Sequence, residues 1–267
     1  MAWATLISVR SVVQLYPGPL PPSMLIQALK RLLPEPWRRR AEVFLVDRGF
    51  PVRKKTGVRG IDQLGHRGYI GKPAHFEELG ILQFEFLLNQ GLAPTHVLCD
   101  IGCGSLRGGR HFIDYLDSGN YLGLEAEPAL VTAGLAYEVR QDLIATKAPE
   151  FVFSSRFEFE RFSKAPDFAL AVSVFSHLNE ADILRCLGNL AHRTTGSCRF
   201  FASFFEAPEP RPNFKRSHSH LAFYYTRDQM EGFGRQTGWT PLFMGAWGSP
   251  SGQPMMRFSI SKPGATS

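Results

Sequence analysis

The stretch Val97-Leu98-Cys99-Asp100-Ile101-Gly102-Cys103-Gly104-Ser105-Leu106-Arg107-Gly108-Gly109 concentrates the residues of this sequence that could hold a ligand. Asp100 ends a short, mostly apolar run that reads as a strand, and Gly102 and Gly104 let the backbone turn sharply and approach a ligand closely. The helix that follows points its free N–H groups at the same spot. About twenty residues further on, a second strand ends in Gly123-Leu124-Glu125, and a carboxylate at such a tip can accept hydrogen bonds from both hydroxyls of a ribose. The chemistry suggested is the holding of an adenosine-containing cofactor. A dinucleotide site reads G-x-G-x-x-G. Gly102-x-Gly104-x-x-Arg107 lacks the third glycine, with Gly108 one residue later, which counts against an NAD-dependent oxidoreductase.

Three histidines stand where a proton could be moved. His177 follows the fourth strand-like run, and His218 and His220 lie in Arg216-Ser217-His218-Ser219-His220, beyond the fifth. Ligands in parallel α/β sheets bind at the carboxyl ends of the strands, so general bases come from the loops there. A structural hydrogen-bonding role is the alternative for each. His75, with Glu77 and Glu78, opens a helical stretch before the glycine turn and could cover a bound cofactor.

The elements that must position these residues alternate along the chain. Phe76, Leu79, Leu82 and Phe86 recur at helical spacing, in a helix ending near Gly91 and Pro94. Strand-like runs at Val97–Ile101, Asn120–Glu125, Phe151–Phe157, Phe168–Val174 and Arg199–Phe205 are separated by helical stretches at Leu106–Leu116, Pro128–Arg140 and the segment capped by Asn179. A helix is expected over Asp228–Thr237, and Thr240–Ala246 and Met255–Ser261 form a closing pair of strands without a helix between them. Strands alternating with helices predict βαβ units and a parallel sheet, and the closing pair predicts a hairpin at its edge.

The form Asp100-Ile101-Gly102-Cys103-Gly104 resembles motif I of the class I S-adenosylmethionine-dependent methyltransferases. Asp167 to Leu178 looks like the fourth strand of that family, and Tyr224-Tyr225-Thr226 followed by Gly238-Trp239 resembles its last helix and penultimate strand. The resemblance covers residues 73–262. It implies a Rossmann-like α/β fold: a mostly parallel seven-stranded sheet with an antiparallel edge strand and helices on both faces. It implies S-adenosyl-L-methionine as cofactor, with Asp100, Gly102 and Gly104 against the methionine moiety, Cys103 in the same turn, and Glu125 with Ala126 at the ribose. Ser155 and Phe157, at the third-strand tip, occupy the position that meets the adenine, although no acidic residue stands at 155–157 and Glu158 is next to it. Ser173 and Val174, at the fourth-strand tip, complete the expected cofactor contacts.

The implied activity is methyl transfer to an O or N nucleophile, with His177, His218 and His220 as the candidate catalytic residues. Two acceptor classes are disfavoured. Adenine amino methylation goes with Asn or Asp before Pro-Pro-aromatic after the fourth strand, where this chain has Ser173-Val174-Phe175-Ser176. Cytosine C5 methylation needs a cysteine nucleophile on a loop, and Cys186 falls within an expected helix. A small molecule, a glycan or a protein side chain remains, the first two favoured. The alternative is a catalytically inactive binding module that keeps the cofactor pocket and recruits a partner through its basic extension.

That extension is a matter of charge. Residues 1–72 hold 13 Lys or Arg against 4 Asp or Glu, whereas the remainder holds 17 against 20, so the net charge of +6 belongs to the N-terminal part. We expect residues 1–60 to be a basic, partly ordered extension and residues 61–267 to be the catalytic domain. A basic arm can meet an anionic membrane surface, an acidic partner or nucleic acid, the last not favoured. No apolar run approaches the ~18 residues that span a bilayer. Cys99, Cys103, Cys186 and Cys198 are too few for a disulfide framework and lack zinc spacing. The expectation is a cytoplasmic protein with reduced thiols and no metal.

Overall fold

The computed structural model describes residues 34–49, 57–194 and 197–260. Apolar residues at helical spacing between Met24 and Leu33, and a basic cluster at Arg53-Lys54-Lys55, are present in the sequence and lie outside the described residues. The chain divides into two compact units, residues 1–53 and 54–267. In the first, helix α1 (Glu35–Asp47) opens with proline in its first turn, where the missing N–H costs nothing. Trp37 and Phe44 on it are exposed, beneath the guanidinium groups of Arg40 and Arg48.

The second unit is built on a seven-stranded sheet: β1 (Leu98–Ile101), β2 (Tyr121–Glu125), β3 (Glu150–Phe153), β4 (Phe168–Ala171), β5 (Cys198–Ser203), β8 (Thr240–Gly245) and β9 (Met255–Ile260). Their order is β3-β2-β1-β4-β5-β9-β8. The first five are parallel, and β9 runs antiparallel to both β5 and β8. The closing pair forms the hairpin expected at this edge, with the last strand, β9, antiparallel and β8 outermost. β1 and β4 are buried at every residue, as their apolar runs require at the centre of a parallel sheet. A separate two-stranded ladder joins β6 (Phe205–Glu206) to β7 (Tyr224–Tyr225).

The helices are α2 (Gly57–Tyr69), α3 (Phe76–Asn89), α4 (Gly109–Tyr115), α5 (Pro128–Tyr137), α6 (Gln141–Lys147), α7 (Glu180–Arg193) and α8 (Arg227–Gln236). Local chemistry sets several ends. The Asn179 side chain accepts the Asp182 N–H at 2.9 Å, with acids in the first turn of α7 and His192 and Arg193 in its last. Thr226 and Gln229 form a reciprocal capping box on α8. The single helix expected over Pro128–Arg140 ends at Tyr137, and the chain turns before starting α6. α2 was not legible in the sequence, because its four glycines lower helix propensity and Gly65, at φ +70°, kinks it.

From β1 the chain builds outward through β2 to β3, then returns to place β4 on the other side of β1. Right-handed crossovers running in opposite directions put their helices on opposite faces of the sheet. A crevice therefore opens outside the carboxyl ends of β1 and β4, where the strand order reverses. Fully buried Phe112, Phe168 and Phe201 anchor the core beneath it, each contributing about 2–3 kcal/mol of burial.

Candidate functional site

Motif I lies at that crevice. Gly102 and Gly104 adopt φ +67° and +55°, and the N–H of Gly102 donates to the Leu124 carbonyl at 2.7 Å, tying the turn to β2. A Cβ on Gly102 would lie 2.5 Å from Val174 Cγ2, so glycine alone fits where the turn crosses the exit of β4. The Gly104 N–H donates to Glu125 Oε2 at 2.9 Å. Glu125 Oε1 accepts the N–H groups of Ala126 and Glu127 at 2.8 and 2.9 Å. Burial pushes the Glu125 carboxyl up, against the pull of those three backbone donors. Three of the roughly four lone-pair sites of a carboxylate are thus used, and one remains on Oε2.

Asp100 is buried behind the turn and accepts the Tyr121 hydroxyl at 2.8 Å. Burial raises its carboxyl to about 6, while the Tyr121 hydrogen bond and the charge of Arg107 pull the other way. Leu106 holds φ +61°, strained for a leucine, and hands the chain to Arg107. Arg107 Nε is sealed from solvent without a hydrogen-bond partner.

At the exit of β4 the chain leaves the ladder earlier than expected. Ser173 takes φ +59° and donates its N–H to Ser203 Oγ at 2.8 Å. The Ser203 hydroxyl donates to Gln253 Oε1 at 2.8 Å, and Gln253 Nε2 donates to Ser173 Oγ at 3.1 Å. This closed circuit joins β4, β5 and the approach to β9. Its buried members Ser203 and Gln253 were missed in the sequence, where the signal was two polar residues within or beside apolar runs. At the tip of β3, the Ser154 N–H bonds to the Glu125 carbonyl, and Ser155 is exposed beside it. The Phe157 ring is buried near Phe159, and Asn189 of α7 holds its carbonyl at 3.0 Å.

His177, about forty residues earlier in the chain, meets the loop that carries His218 and His220. The His218 N–H donates to the His177 carbonyl, and the His218 and His220 rings lie 6.3 Å apart. His177 Nδ1 lies 2.8 Å from the Leu221 carbonyl oxygen, an acceptor only, so Nδ1 carries the proton and Nε2 of the neutral ring keeps its lone pair. His218 Nδ1 accepts the His220 N–H at 3.1 Å, which puts its own proton on Nε2. Tyr69, from the end of α2, meets His220 edge-on at 4.9 Å. Nothing in the sequence linked Tyr69 to this cluster. The β6–β7 ladder pins the two ends of the loop that carries His218 and His220.

No protein-family model and no curated sequence matches the chain. Solved structures do. The magnesium protoporphyrin IX methyltransferase ChlM from Synechocystis PCC 6803, with bound SAH, superposes over 77% of this chain and 96% of its own, with a TM-score of 0.55 and 14% identity. The glycopeptide N-methyltransferase MtfA matches over 68% of this chain and 90% of its own, with a TM-score of 0.52 and 14% identity. The pyocyanin biosynthetic protein PhzM matches over 85% and 70%, with a TM-score of 0.53 and 16% identity. The chain has the class I methyltransferase fold.

On this methyltransferase fold, the end of α2 and the residues after it cover the glycine turn. The Ser105 hydroxyl donates to the His66 carbonyl at 3.3 Å, and Ile70 Cγ2 lies 3.3 Å from where a Cβ on Gly104 would stand. An ion-pair network holds this cover. Glu138, its side chain 1% exposed, accepts from Arg67 Nε at 2.6 Å and pairs with His66 Nε2 at 2.7 Å, with Arg110 at 3.5 Å. Burial alone would raise the Glu138 carboxyl, but the hydrogen bonds from Arg67 and His66 outweigh it and the carboxyl lies below its usual range. Glu77 joins through Arg67 and Arg110, so it serves the cover by holding α2. Among the described residues His75 pairs with Glu78, one turn further on, at an exposed helix start. No helix among the described residues is long and apolar enough to cross a membrane.

Proposed function

We propose that this protein is an S-adenosylmethionine-dependent methyltransferase acting on an O or N nucleophile of a small-molecule or glycan-like acceptor. The observation that carries this reading is the meeting of the glycine turn with the Glu125 carboxylate at the switch point of the sheet. The residues fit the cofactor. Gly102 is exposed at the turn, Asp100 and Arg107 offer opposite charges to a zwitterionic methionyl group, and Glu125 Oε2 keeps a lone pair for a ribose hydroxyl. Ser173 and Val174 border the turn on the β4 side, and Ser155 follows the strand next to Glu125. The methyltransferase domain of this reading is residues 61–267, preceded by the basic extension 1–60.

Bound S-adenosylmethionine supplies a methyl group on a sulfonium, a good leaving group. The chain's part is to align the acceptor and take its proton. His177 is the base of choice, because the Leu221 carbonyl orients its ring and, by holding the Nδ1 proton, makes Nε2 the basic nitrogen. His218, with its proton on Nε2, is a donor for a polar group of the acceptor. His220 and Tyr69 form the wall beside them.

Isothermal titration with S-adenosylmethionine and S-adenosylhomocysteine tests the reading. Micromolar binding of both is expected, weakened by about 1–3 kcal/mol in Glu125→Ala through lost hydrogen bonds to a buried ligand. No binding by the folded protein would overturn it. Binding without turnover across an acceptor screen would favour the inactive binding module instead.

A further inference from the structure

Arg107 is a charged side chain with no task in the apoprotein. Its Nε is sealed from solvent and has no hydrogen-bond partner, and no ion pair holds its guanidinium among the described residues. The neighbouring carboxylate, Asp100, is engaged by the Tyr121 hydroxyl and reaches Arg107 only through space. Burial lowers the guanidinium to about 10, against the pull of Asp100. A half-buried arginine whose sealed Nε has no partner among the described residues costs stability, unless a ligand supplies the missing acceptor.

The backbone is built to keep it there. Leu106, immediately before it, is buried at φ +61°, a conformation that costs a leucine about 1–2 kcal/mol. A Cβ on Gly80 of α3 would lie 2.4 Å from the Arg107 carbonyl oxygen, so α3 presses flush on this peptide and prevents its retreat. The side chain runs toward the cover, with Nη1 3.7 Å from where a Cβ on Gly71 would stand; the adjacent Ile70 lies over Gly104. The guanidinium therefore reaches the segment that covers the glycine turn, within the field of Asp100.

We infer that Arg107 anchors the carboxylate of the cofactor's methionyl moiety by a charge-assisted, fork-shaped hydrogen-bond pair, while Asp100 faces the ammonium group. This rests on the S-adenosylmethionine reading above and assigns a residue that the resemblance to motif I does not. A methionyl carboxylate is the anion that fits, because it would arrive beside the turn with its own ammonium, matching the Arg107–Asp100 pair of charges.

The test compares two ligands that differ in this end alone, S-adenosylhomocysteine and 5′-methylthioadenosine, which lacks the amino-acid group. Titration of the full chain and its Arg107→Met variant should show S-adenosylhomocysteine weakened about tenfold to a hundredfold, with methylthioadenosine unchanged. Arg107→Lys keeps the charge and loses the fork, and should show a smaller, equally selective loss; it also carries the comparison should Arg107→Met fail to fold. Unchanged S-adenosylhomocysteine affinity in a folded variant, or equal losses for both ligands, overturns the role of Arg107 and leaves the cofactor reading intact. Binding of neither ligand by the unaltered protein overturns the cofactor reading itself, and this inference with it.

Discussion

The glycine turn and the histidine loop lie toward the same end of one sheet, yet they are held by different forces. The turn is held from inside. Its glycines fit where a Cβ would clash, its N–H groups are tied to Leu124 and Glu125, and its carboxylates are raised by burial. The loop from 207 to 222 is held from its rim, by contacts between residues far apart in sequence. Asn213 exchanges two hydrogen bonds with the Tyr224 backbone, Asn179 holds the Lys215 carbonyl, and His177 holds that of Leu221. A region built on backbone fit tolerates no change of shape. One built on peripheral side-chain bonds can exchange residues and accommodate different acceptors. On the function proposed above, the cofactor belongs to the rigid half and acceptor choice to the adaptable one.

The sharpest way to break this contrast is Gly102→Ala. It forces a Cβ to within 2.5 Å of Val174 Cγ2 at a positive φ, with a loss of about 3–4 kcal/mol from backbone strain and overpacking together. Thermal unfolding and cofactor titration should both report it; a variant of normal stability and affinity would mean that the turn is not rigid.

Asp100→Asn probes the buried charge. The folded carboxyl sits at about 6, above its ordinary value, so its contribution is full below about pH 4 and is lost as pH rises through about 6. Between those limits the apoprotein should lose about 2–3 kcal/mol that Asp100→Asn retains. Denaturant unfolding at pH 4, 6 and 8 checks this, and parallel pH profiles for the two proteins would contradict it. The same ionisation should tighten binding of a ligand ammonium as pH rises.

Glu138→Gln loosens the cover rather than the turn. It leaves Arg67, Arg110 and His66 facing one another without their shared carboxylate, at a cost of about 2 kcal/mol, moderated because Arg67 is partly solvated. Its pH dependence has the opposite sign to that of Asp100. The Glu138 carboxyl is held low, so its contribution is present above the ordinary glutamate range and disappears as pH falls through the lowered value. Cofactor affinity should fall with stability if the cover matters to binding, and stay constant if it does not.

The smallest effect belongs to the loop. Asn213→Ala removes the two bonds to Tyr224 and should cost about 1 kcal/mol, appearing as faster amide exchange over residues 207–223 with cofactor affinity untouched. Weakened cofactor binding in this variant would join the two halves into one unit.

Much of this division follows how far each feature reaches along the chain. β1, the glycine turn and the start of α4 are consecutive, so Asp100, Gly102 and Gly104 were legible as neighbours, and Glu125 as the polar end of the next apolar run. Strand tips were read too long at Phe157, Val174 and Phe205, because apolar character persists after the ladder ends. The chain bends there at positive φ in Phe157 and Ser173, which composition does not reveal. α2 was hidden by its glycines, and Tyr69, Arg67 and Ile70 with it.

The sequence by itself determined the alternation of strands and helices, the parallel sheet and the glycine turn, since each depends on apolar periodicity or on a residue's own backbone freedom. The tertiary structure alone decided that His177 meets the loop of His218 and His220 and that a buried circuit joins Ser173, Ser203 and Gln253. It alone left Arg107 Nε, among the described residues, without a hydrogen-bond partner beside the turn. Those features depend on the order of strands in the sheet, which brings distant residues within hydrogen-bonding range and which no local pattern encodes.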